Sequence, residues 1–181
     1  MTSGAEPPFW EWSLARYEIE GVAPRLLHLQ DNFGLNVNIL LWCGWCAERY
    51  RDLPEIAVRK AIDLTARWSG EVVGALRTAR RLLKHPPPQA DADSAQSLRA
   101  MVRDAELAAE KIEQRILNKL AAENFVGAED AAGAESRFRR NLAIYAALAG
   151  APKLEGFSVT LLDELAARIL VCADPPHSEN D

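Results

Sequence analysis

Cysteine is scarce in this chain: three among 181 residues, two of them, Cys43 and Cys46, only three positions apart. A sparse and odd count excludes the disulfide framework of a small secreted domain, and a chain of this length buries a core without such staples. Histidine is no commoner. His28, His85 and His177 stand at no ligand spacing, so no metal site and no cofactor is expected. There is no glycine-rich loop leading to Lys and Ser or Thr, and no G-x-S-x-G, which leaves out a phosphate cradle and a hydrolase elbow. Bases are outnumbered by acids, 21 to 26, and the net charge of -5 disfavours nonspecific nucleic-acid binding. Long apolar runs are also missing: the longest, Ile39 to Ala47, falls far short of the roughly 20 residues that cross a bilayer. The opening MTSGAEPPFWEW has no basic segment followed by an apolar one, so no secretory signal and a reducing, cytoplasmic setting are expected.

What is plentiful is Ala, Leu, Glu and Arg, all good helix formers. No stretch alternates β-branched and aromatic residues between turns. The expectation is one all-α domain over 1–181 with about seven helices. A three-helix corner is predicted at 9–50: one helix closed by Gly21, a second over Val22 to Phe33 ended by Gly34, and a third over Leu35 to Tyr50. The third is apolar on every side from Val37 to Ala47 and must be central. A long antiparallel hairpin is predicted over 54–124. Its first arm would bury Val58, Ala61 or Ile62, Thr65, Trp68, Val72, Leu76, Ala79 and Leu83. The second arm, after HPPPQADADS, would bury Leu98, Met101 or Val102, Ala105, Ala109, Ile112, Ile116 and Leu120. Basic residues in RTARRLLKH suit the end of the first arm, where they complement the helix dipole. Two further helices are expected within 128–173, the first carrying Phe138, Leu142, Tyr145 and Leu148, and a frayed tail follows.

Three features invite a functional reading. WCGWC, Trp42 to Cys46, has the local look of a dithiol redox site, but no βαβ pattern surrounds it and both cysteines fall mid-helix, away from the helix terminus that would lower a thiol pKa. They are expected to act as small buried hydrophobes. Polar side chains Gln30, Asp31, Asn32, Asn36 and Asn38 sit among Leu and Ile, and if buried they must be hydrogen-bonded. Their structural reading is a helix end, a cap by Asn36 and a backbone bond from Asn38. Their functional reading is a pocket presenting Gln30, Asp31 and Asn38 with tryptophan walls. Aromatic clustering is the third feature: Trp10 and Trp12 cannot both face inward on one helix, so one of them, with Tyr17, is a candidate binding surface. No catalytic residue is assigned, since one carboxylate among amides is poor acid-base machinery. The leading expectation is a non-enzymatic protein-interaction or regulatory module with a protein partner, or self-association through the hairpin; the alternative is a small-ligand-binding protein or enzyme using Gln30, Asp31 and Asn38.

The segment FWEWSLARYEIEGVAPRLLHLQDNFGLNVNILLWCGWCA resembles the signature of an uncharacterised proteobacterial family, a domain of unknown function. Its pattern runs F-W-x-F-S-L-x-x-Y-x-x-x-G-V and then L-x-L-Q-D-x-x-G-x-D-V-N-x-L-L-x-x-x-W. Phe9, Trp10, Ser13, Leu14, Tyr17, Gly21 and Val22 carry the first part; Gln30, Asp31, Gly34, Val37, Asn38, Leu40, Leu41 and Trp45 carry the second. The resemblance implies a cytoplasmic bacterial helical protein and supplies no activity. Asn36 departs from it, standing where the family has Asp, so a two-carboxylate site at this corner would lack one member here.

Overall fold

The computed structural model describes residues 9–50, 53–125, 133–150 and 157–170. In chain order it contains α1 (Phe9–Tyr17), α2 (Val22–Phe33), α3 (Val37–Arg49), α4 (Glu55–Trp68), a π-helical turn (Ser69–Val73), α5 (Gly74–Leu82), α6 (Ala92–Asn124), α7 (Ala134–Leu148) and α8 (Phe157–Leu170). Because α4 runs through the π turn into α5, the eight α-helical segments amount to seven helices, and the described residues contain no strand. The fold is all-α. The Pro7-Pro8 start, most of the small-residue connection after Phe125 and the tail after Leu170 lie outside the described residues.

The corner of α1, α2 and α3 turns on two local devices. Gly34 adopts a left-handed φ of 70°, which a glycine reaches without steric cost, and its N–H donates to the Gln30 carbonyl that ends α2. Asn36 then caps α3, its Oδ1 accepting the Asn38 N–H at 2.8 Å. From Asn38 to Ala47 every residue of α3 is buried, and α1, α2, α6, α7 and α8 all pack against it. This is why its sequence is apolar on every face.

WCGWC is the middle of that central helix. Trp42 donates its indole N–H to the Leu117 carbonyl at 3.0 Å. A Cβ at Gly44 would come within 3.0 Å of the Trp12 ring and 3.2 Å of the Phe138 ring, so glycine lets two aromatic rings rest on the helix backbone. That contact offsets the roughly 0.5–1 kcal/mol a mid-helix glycine costs relative to alanine. Cys43 and Cys46 are fully buried, and burial pushes both thiols up, the opposite of what a redox thiolate needs.

All of the expected first arm, α4, the π turn and α5, packs along α6. Arg77 reaches both Glu106 and Glu110 while Arg80 reaches Glu106, which sets α5 antiparallel to α6 across the connection of residues 83–91. The first half of that arm is also built into the body: Ala57, Val58, Ala61 and Thr65 of α4 are buried, and α4 packs on α7 as well as on α6. Between α4 and α5 the buried stripe steps from Thr65 to Val73, one residue later than the expected Val72. The π turn supplies that extra residue. Its i to i+5 bond joins the Gly74 N–H to the Ser69 carbonyl, and a Cβ at Gly74 would sit only 3.3 Å from that oxygen.

On α6 the expected stripe holds at Ala109 and Leu120 and is rotated elsewhere. Ala105, Met101 and Ile112 face solvent, while Glu106, Ala109, Glu113, Gln114, Leu117 and Leu120 are buried. Two carboxylates and an amide thus occupy positions that hydrophobicity alone assigns to their apolar neighbours, and hydrogen-bonded partners make that burial affordable.

Candidate functional site

Asn36 and Asn38 open α3 directly across from α6, which determines their partners. With its oxygen committed to the cap, Asn36 donates through Nδ2 to Glu113 Oε1 at 2.5 Å and to Ser69 Oγ, in the π turn, at 2.9 Å. Asn38 donates through Nδ2 to Glu113 Oε2 at 2.9 Å and accepts from Gln114 Nε2 at 2.8 Å. Gln114 Oε1 in turn accepts from Ser13 Oγ at 2.8 Å. The Asn36 backbone N–H donates to the Tyr145 hydroxyl at 2.8 Å. One continuous polar chain therefore ties α1, α3, α6, the π turn and α7 together inside the molecule. At its centre Glu113 is wholly buried: burial pushes its carboxyl above the ordinary value, the two amides pull it partly back, and the charge of Glu110 pushes it further up.

Two turns earlier on the same face of α6 lies a second polar cluster, ionic rather than amide-based. Glu106 receives Arg77 Nε at 3.0 Å on one oxygen and Arg80 Nε at 2.5 Å on the other. Arg77 also donates through Nη2 to Glu110 at 2.9 Å. Burial alone raises the Glu106 carboxyl, but the charged hydrogen bonds from Arg80 and Arg77 outweigh it and hold the group below its ordinary range. Glu110 goes the other way, raised by burial and by the neighbouring Glu106 more than Arg77 lowers it. Tyr17 is raised as well, by burial and then by Glu110.

Between the two clusters and the N-terminal corner opens a cavity of about 430 Å³, bounded by α1, α2, α3, α5 and α6. The buried side chains Ser13, Asn38 and Gln114 form its inner end. Trp10, Val37 and Leu41 line its apolar wall, and Leu14, Leu27 and Leu107, each more than 40% exposed, stand at its mouth. Tyr17, Gln30, Glu106 and Glu110 complete the lining with four arginines, Arg77, Arg80, Arg81 and Arg103. The size falls within the range of small-molecule sites, and polar and charged side chains converge there beside an apolar wall.

Of the residues singled out from sequence, the structure brings Trp10, Tyr17, Gln30 and Asn38 to this cavity. Asn36 lies behind it, joined to Asn38 through Glu113. Asp31 points to the outside, where it pairs with Arg81 at 2.7 Å and that hydrogen bond lowers its carboxyl. Trp12 is turned into the core, donating to Glu48 at 2.7 Å and stacking edge-on against Trp45. Asn38, for which a backbone partner was expected, bonds side chains instead. Sequence reasoning missed Ser13, Arg77, Arg80, Glu106, Glu113 and Gln114. The available signal was the pair Glu106 and Glu113, seven residues apart within a helix whose buried face repeats on that period.

An all-α protein with an enclosed polar chain behind a mixed apolar and arginine-lined cavity is the class these observations define. The chain belongs to the family described as protein of unknown function (DUF2390), whose model matches residues 8–117. That span takes in every residue lining the cavity and both buried glutamates, and it stops short of α7 and α8. No curated protein and no solved structure matches the chain. No helix among the described residues is long and apolar enough to cross a membrane, and none of their His, Cys, Asp and Glu side chains group as a metal site would require.

Proposed function

We propose that this chain is a small-ligand-binding protein whose site is the cavity between α1, α2, α3, α5 and α6. The observation that carries the reading is the convergence, in one cavity within the family-matched span, of buried hydrogen-bonding groups at the inner end and apolar side chains at the mouth. An apolar ligand body would cover Trp10, Leu14, Leu27 and Leu107, removing surface from water at roughly 25 cal/mol per Å². The polar chain behind the cavity holds Asn38 and Gln114 in fixed orientations, so little side-chain freedom is lost when a ligand meets them. The test is thermal unfolding against a small-molecule library, repeated on Leu27→Trp, which places a large side chain at the mouth. A ligand that raises the Tm of the wild type and not of Leu27→Trp is expected; ligands that stabilise both alike, or none at all, would remove the reading.

A second reading, a protein-interaction or regulatory module acting through the hairpin, draws on a different observation. Leu82, Leu98 and Met101 are between 46% and 70% exposed on α5 and α6. Sedimentation discriminates the self-association form of this reading: a dimer that dissociates in Met101→Glu supports it, and a monomer at all concentrations removes it.

A further inference from the structure

We infer that the ligand is an amphipathic anion, its acidic group received by the arginines of α5 and its apolar body lying against Trp10, Leu14, Leu27 and Leu107. This rests on the cavity being a ligand site. Charge gives the first support. The chain as a whole carries five more acids than bases, yet four arginines against two glutamates line this one cavity. Arg77 and Arg80 also compensate the buried Glu106, but with Arg81 and Arg103 the lining keeps an excess of positive charge, which attracts anions into a cleft whose low-dielectric walls focus the field.

Geometry gives the second. A guanidinium has five donors in a rigid fork. Glu106 takes Nε of both Arg77 and Arg80, fixing the planes of two guanidinium groups that are each about a quarter exposed at the cavity; Arg77 spends one further donor on Glu110 and Arg80 one further donor on Glu106, at 3.3 Å. Glu106 thereby acts as the support that pre-organises a two-arginine receptor, in the way a buried carboxylate orients a ligand-binding base. A cationic ligand would find the opposite situation, since the cavity carboxylates already have arginine partners. Arg81 and Arg103 extend the positive wall; their own partners, Asp31 and Asp104, are exposed acids in surface ion pairs that solvent can replace.

Third, the apolar and cationic parts are adjacent. Leu107 on α6 follows Glu106 directly, and Leu14 and Tyr17 on α1 sit one turn apart, so an anion held by α5 would bring its own body against this apolar strip. A free inorganic anion would leave the strip wet, and a neutral amphiphile would leave the arginines unused.

The experiment uses two fluorescent probes with the same body: 1-anilinonaphthalene-8-sulfonate and its neutral counterpart lacking the sulfonate, N-phenyl-1-naphthylamine. Each is titrated into the full-length folded protein, with a cationic amine-bearing naphthalene as a third arm. The expected result is one site per chain, at least about tenfold tighter for the sulfonate, the factor corresponding to one charge-assisted hydrogen bond. That preference should shrink to within about twofold in Arg80→Gln and Arg103→Gln, whose folding is checked by circular dichroism, and should weaken as salt is added. Leu27→Trp should weaken both probes together. Equal binding of the sulfonate and the neutral probe, or tighter binding of the cation, overturns the anion inference while leaving the cavity a ligand site. Failure of all three probes to compete with any Tm-raising compound, with Leu27→Trp indistinguishable from wild type, overturns both.

Discussion

Glu106 and Glu113 are the same residue type, seven positions apart on one face of α6 and both nearly excluded from solvent, yet the fold treats them in opposite ways. Two guanidinium groups meet Glu106 and draw its carboxyl below the ordinary value of 4.5; two amides meet Glu113, which stays above it. The difference lies in partners and in depth, since Glu113 is completely excluded from solvent and also feels the charge of Glu110. Charged donors compensate the desolvation of a carboxylate, whereas neutral donors satisfy its lone pairs without matching its charge. Position follows from this. The ionic cluster faces the cavity, where water and a ligand can reach it, and the amide cluster lies behind, where it joins five elements.

The largest effect that would sharpen the contrast is expected at Glu113. Glu113→Ala leaves the Asn36 and Asn38 amides without their buried acceptor and should cost about 3 to 5 kcal/mol in urea unfolding. Glu106→Ala should cost less, about 1 to 3 kcal/mol, because Arg77 and Arg80 are partly exposed and regain water. Equal losses would break the contrast.

Next in size is the pH response, and the signs are opposite. A carboxyl raised in the fold binds its proton more tightly there, so the Glu113 contribution is present at low pH and fades as pH rises from its ordinary value through the raised one. A carboxyl lowered in the fold stabilises at higher pH, and the Glu106 contribution is lost as pH falls below the ordinary value through the depressed one. Denaturation between about pH 3 and about pH 8 should therefore show the wild type losing stability relative to Glu113→Gln as pH rises, and gaining relative to Glu106→Gln. Parallel curves for the two variants would mean that the two glutamates ionise alike. The smallest effect belongs to Asp31, a third carboxylate paired with an arginine but about half exposed; Asp31→Asn should change stability by less than about 1 kcal/mol.

Much of the architecture was legible in the sequence. Gly21, Gly34 and Asn36 mark the ends of the first helices because left-handed φ and N-capping have strong residue preferences, and α3 announces its central place by being apolar all round. Part of the candidate site was legible too: Trp10, Tyr17, Gln30 and Asn38 stand out as polar or aromatic side chains in an apolar setting. Its other half was hidden for a physical reason. Periodicity assigns the buried face by hydrophobicity, so it points to Ile112 and Ala105 and passes over Glu106, Glu113 and Gln114, although it places Ala109 and Leu120 correctly. Arginines such as Arg77 and Arg80 look like any solvated helix end until a buried acid is placed opposite them.

The π turn at Ser69–Val73 has a consequence for how this surface tolerates change. One additional residue in a helix advances everything after it by about 100°. Were the same residues wound as regular α-helix, α5 would leave α4 at a different phase, and Arg77 and Arg80 would swing away from Glu106. Removing one residue from this segment should therefore let it close into regular α-helix with Arg77 and Arg80 still facing Glu106, whereas inserting one should carry both away from it, and in either case the helix itself, by any measure of helical content, would look untouched.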